Sequence, residues 1–159
     1  MSATAIPLLA AAVNAFDLKA ALLARHAQHP VLVHFPIALF IASAVFEALA
    51  IWRKQPVFAS VAYFNLLGAA LSLPFTIATG LGAWQLQLEG ATLKGNLLLH
   101  LVCALTSAVL ILGLGWKRWR LRQNDERPHV SYFIVMTLAL VMITITGHVG
   151  GILSGVEAP

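Results

Sequence analysis

The sequence predicts an all-α fold: an integral membrane four-helix bundle running up-down-up-down, preceded by a short N-terminal interfacial helix. Three observations carry that expectation. Of 159 residues, 60% are hydrophobic and 10% charged, against roughly 45–50% and about 25% in soluble domains. Four apolar stretches match the ~20 residues needed to cross ~30 Å of hydrocarbon, and short polar connections separate them. Trp52, Trp84, Trp116, Trp119 and Tyr132 fall at the ends of those stretches, where amphipathic rings favour the interface. This composition excludes a soluble globular domain and a disordered chain. The net charge of +4 is too small and too localised for nucleic-acid binding. Cys103 stands alone, which removes any intrachain disulfide, C-x-x-C redox pair or covalent C-x-x-C-H haem attachment.

The chain divides into an N-terminal segment, residues 1–29, and a four-span domain, residues 30–159. No cation precedes the first apolar run, and Lys19 is the first to appear, so the start does not read as a secretory signal. Asn14 or Asp17, followed by Leu18, Leu22 and Leu23, reads as a short helix lying along the membrane surface. The spans are residues 31–51, 58–81, 96–116 and 132–153. Pro30 suits a first helical turn, where its missing N–H costs nothing. Pro36 and Pro74 fall inside spans, which neighbouring groups in a bundle tolerate.

Orientation follows from the ten Lys and Arg. Arg53 and Lys54 sit in the first connection, and Lys117, Arg118, Arg120, Arg122 and Arg127 in the third. Lys19, Arg25 and Lys94 are left for the other side. Cytoplasmic loops carry the excess of basic residues, so the first and third connections face the cytoplasm. Both termini then lie in the periplasm of a bacterial inner membrane. Glu47, the one carboxylate in a span, is expected to snorkel toward Arg53.

Six histidines need explaining, because ionisable side chains are scarce in spans and often functional there. His129 reads as a solvated boundary residue at the cytoplasmic start of the fourth span, and His26 belongs to the surface segment. With a rise of about 1.5 Å per residue, His34 lies about 4–5 Å inside the outward end of the first span, and His100 about 6 Å inside the third. His148 lies roughly 6 Å short of the outward surface on the fourth span. His29 stands just outside the first span, set apart from the helix by Pro30. Four imidazoles thus meet near one level. Gly147, Gly150 and Gly151 surround His148, leaving room for a flat group to approach the backbone; helix packing of the small-x-x-x-small kind is the plainer reading of Gly147 and Gly151.

Imidazole suits iron, copper, zinc and nickel, and histidines on facing helices are how bundles hold haem and metals. No G-x-S-x-G, H-E-x-x-H, Walker A or G-x-G-x-x-G motif is present. Low-spin haem b between His34 and His100 is therefore the expected arrangement, one haem being favoured over two. Those two lie within about 2 Å of each other in depth, on helices diagonal in the bundle. His148 and His29 are the alternate ligands, His148 also serving as a hydrogen-bond partner to a propionate or a quinone. Five residues turn about 500°, so His29 does not share the orientation of His34.

The stretch His29-Pro30-Val31-Leu32-Val33-His34-Phe35-Pro36-Ile37 resembles the opening motif of a bacterial four-span membrane family, domain of unknown function 2231. The ending Thr146-Gly147-His148-Val149-Gly150-Gly151-Ile152-Leu153-Ser154-Gly155 resembles its closing motif, and Trp84 and His100 also fit. The likeness runs from about His29 onward. Many members carry a further histidine where this chain has Ser154, which argues against a fifth ligand. Relatives occur fused to, or encoded beside, c-type cytochromes, Rieske iron–sulfur domains and quinoprotein dehydrogenases. The resemblance therefore implies electron transfer at the outer face.

The resulting expectation is a haem-bearing subunit, more an electron-transfer component of an oxidoreductase complex than an independent enzyme. It would pass electrons between a periplasmic redox protein and the quinone pool. A non-haem copper or zinc protein and a structural anchor of a redox complex are the alternatives.

Overall fold

The computed structural model describes residues 28–155, which form four helices and no strand. They are α1 (Gln28–Arg53), α2 (Pro56–Gln87), α3 (Gly95–Gln123) and α4 (Val130–Leu153). All four are long and apolar enough to cross a membrane. The expected surface helix at the N-terminus and His26 lie outside the described residues.

Each helix reaches beyond its hydropathic span. Hydropathy marks where hydrocarbon ends, whereas the backbone ladder continues until something satisfies its last carbonyls. In α3 the ladder runs on past Trp116 until the Asn124 N–H closes on the Arg120 carbonyl, and Asp125 turns the chain at a φ of 55°. The third connection therefore begins seven residues later than Lys117, and Arg118 belongs to a helix. Between α1 and α2 the turn is tight: Lys54 takes a φ of 55°, and Gln55 is extended before Pro56, because a residue preceding proline avoids the helical region. Helix α1 already includes His29 and Pro30 in its first turn. Proline is at home there, so it does not set His29 apart as the sequence suggested.

Short connections force sequential neighbours to run antiparallel. Helix α1 packs chiefly on α2, and α3 on α4; α2 joins the two hairpins through α3, while α1 and α4 barely touch. Small residues allow the closest approach: Ser43, Ala62 and Ala69 are fully buried, and the Ser43 hydroxyl donates to the Ala62 carbonyl across the α1–α2 seam at 2.9 Å. Phe40, Leu66, Ile111, Leu114 and Met136 fill the centre. Large apolar side chains such as Phe75 and Val109 point outward, as a lipid-facing surface requires. Exposed hydroxyls on that surface are satisfied by their own helix: Thr106 donates to the Val102 carbonyl, and Thr137 to Phe133. At the end holding the α2–α3 connection, Trp84 Nε1 donates to the Ala91 carbonyl at 2.9 Å and ties the loop down.

Candidate functional site

The start of α1, the end of α2, the start of α3 and the end of α4 meet at one end of the bundle. Two histidine rings are built into that meeting point. His29, in the first turn of α1, reaches α2: its Nδ1 lies 3.3 Å from Thr79 Oγ1. The Thr79 hydroxyl is itself anchored to carbonyls of its own helix, Phe75 and Thr76. His100, on α3, reaches α4, where its Nδ1–H donates to the Thr146 carbonyl at 3.1 Å. In His100 the carbonyl can only accept, so the bond fixes the proton on Nδ1 and leaves Nε2 with its lone pair. Metal-ligating histidines are oriented in the same manner, through the nitrogen that does not bind.

Glycines make room for both rings. A Cβ at Gly80 would come 3.0 Å from His29 Cε1, and one at Gly150 would come 3.1 Å from His100 Cε1. Both rings are half-buried, each in the seam of its own hairpin, His29 against α2 and His100 against α4.

The other two candidate ligands face elsewhere. His34 is exposed and hydrogen-bonded through Nδ1 to the Pro30 carbonyl of its own helix. The 500° rotation between His29 and His34 does separate them, but it turns His29 inward and His34 outward, the reverse of the expected assignment. His148 is exposed on α4; two residues before Gly150 correspond to about 200° of rotation, so it points away from the seat of His100. The structure thus turns His29 and His100 inward at the same end of the bundle, and leaves His34 and His148 on exposed faces. His129 sits exposed at the start of α4, a boundary position as expected. Among the described residues, no group of three or more His, Cys, Asp and Glu could hold a metal ion.

A second polar centre lies toward the opposite end. Glu47 does not snorkel to Arg53. Its Oε1 accepts from Arg118 Nε at 2.6 Å, with both side chains buried, while the Arg53 guanidinium lies 4.5 Å over the Trp52 ring. Arg118 Nη2 also reaches the Ala59 carbonyl of α2 at 3.5 Å. Tyr132 of α4, expected at the interface, is fully buried beside this pair, and its hydroxyl has no partner among the described residues. All four helices therefore contribute. The reason is register. Glu47 continues the buried stripe Pro36, Phe40, Ser43, and Arg118 continues Ser107, Ile111, Leu114. That three-and-four spacing was the available signal for a buried arginine; the run of cations around it reads instead as a loop.

A family model described as predicted membrane protein (DUF2231) matches residues 25–157. No curated protein and no solved structure matches the chain.

Proposed function

The chain belongs to the DUF2231 family of membrane proteins, and from that premise we propose that it is a haem b-bearing subunit of a bacterial inner-membrane redox complex. In this reading it passes electrons between a periplasmic partner, such as a c-type cytochrome or quinoprotein dehydrogenase, and the quinone pool. Both termini face the periplasm, and one haem is held at that side. The supporting observation is that His29 and His100, from α1 and α3, are both half-buried at one end of the bundle and each is oriented through Nδ1 by a neighbouring helix. His29 thereby replaces His34 as the partner of His100.

Among the described residues no third His, Cys, Asp or Glu groups with these imidazoles, and two histidines on different helices, His29 and His100, would be the residues to hold a haem. When bound, the haem supplies a one-electron iron couple. The protein's part is to fix both rings, exclude water with the surrounding apolar side chains, and keep the centre within reach of a partner outside the membrane. Space for the macrocycle would come from the α1–α4 seam, where the helices barely touch.

Protein purified after expression with ample haem should show a Soret band. His29→Ala and His100→Ala should each abolish the low-spin spectrum, whereas His34→Ala should retain it. A haem-free product under those conditions sinks this reading, and elemental analysis then tests copper and zinc.

One observation favours a structural anchor as the second reading. Both imidazole bonds run between helices, which is how polar side chains hold membrane bundles together. Under that reading His29→Ala and His100→Ala loosen the bundle but leave the activity of the partner complex intact.

A further inference from the structure

We propose that the seam between α3 and α4 binds one acyl chain of an anionic phospholipid, with the lipid phosphate paired to Lys117. The seam carries an apolar groove of about 280 Å³. Val109, Leu110 and Leu114 form the α3 wall, Val135 and the Tyr132 ring form the α4 wall, and Lys117 stands at one end. Gly113 opens it, since a Cβ there would meet nothing within 4 Å. The lining positions on α3 recur at helical spacing from Val109 to Lys117 and so form one stripe about 12 Å long.

Any lipid tail can cover an apolar groove; the charge at its mouth decides which lipid stays. The other cations on α3 already have partners. Arg118 is paired with Glu47, Arg120 lies over the Trp116 ring and Arg122 over Tyr63. Lys117 is exposed and has no carboxylate or aromatic face against it among the described residues. An ammonium ion at the level where the apolar stripe ends lacks an anion, and a phosphodiester above a tail supplies one. A headgroup carrying its own cation would compete with Lys117, so phosphatidylglycerol should be held over phosphatidylcholine.

Native mass spectrometry of the full chain, released from nanodiscs containing both lipids with identical tails, tests this. The wild type should retain phosphatidylglycerol over phosphatidylcholine by about fivefold, the factor one basic side chain near the surface supplies. Lys117→Gln should bring the ratio to about one, and Lys117→Arg should keep it. Gly113→Leu, whose side chain enters open space, should lower retention of both lipids. Equal retention by the wild type, or a preference that survives Lys117→Gln, overturns the proposal. So does a dimer that Gly113→Leu dissociates while lipid retention is unchanged, because the groove would then hold a second copy of the chain.

Discussion

Leaving either Glu47 or Arg118 alone in a nonpolar interior would be costly, and the pair is stable only as a pair. Arg118→Ala strands a buried carboxylate and should lower unfolding stability in detergent by about 3–5 kcal/mol, whereas Glu47→Leu combined with Arg118→Met should recover most of that loss. Equal losses in the single and double variants would mean that packing, not charge, links these positions. Tyr132→Phe removes a buried hydroxyl without a partner and should leave stability unchanged or raise it by about 1 kcal/mol. The histidines show what sequence spacing conveys and what it withholds. Spacing separates His29 from His34 by angle, because rotation per residue is a property of the backbone alone. Which of them faces inward depends on where α2 lies, and Thr79 and Gly80 settle that only once the helices are packed.

Helix existence was plain from the apolar stretches, because length and hydropathy are summed over many residues. Helix ends were not, since the last turns of α3 carry cations that a hydropathic reading assigns to water. The glycines near the candidate site differ in the same way: sequence cannot distinguish those that seat a ring from those that face open space. Gly80→Ala and Gly150→Ala force methyl groups against His29 and His100, and should each destabilise the bundle by about 1–3 kcal/mol. Gly147→Ala meets nothing within 4 Å and should stay within about 0.5 kcal/mol of wild type. Chemical unfolding of the three variants in the same detergent checks the contrast; a loss in Gly147→Ala as large as the others would contradict it.

The molecule is two-ended, with two inward-turned imidazoles where α1 begins and a paired charge toward the end of α1. In the proposed orientation the second end faces the cytoplasm, following the distribution of cations. Reporter fusions after Gln123 and at the C-terminus should therefore read cytoplasmic and periplasmic respectively, and a cytoplasmic C-terminus would invert every statement about partners. Cys103 offers an independent check on the interior. It is the one cysteine, buried on the core stripe of α3, so a maleimide should label it slowly in the folded protein and readily after unfolding.

The Glu47–Arg118 pair also has a consequence for biogenesis. The two residues are 71 positions apart, and a ribosome adding about 5–20 residues per second needs roughly 4–14 s to pass from one to the other. Until that interval has passed, the carboxylate of the first helix is unmatched. It must wait at the translocon or near the headgroups until the third helix delivers the guanidinium. The docking of these two helices is thus a late event, and a chain stalled before Arg118 should remain exposed to membrane quality-control proteases.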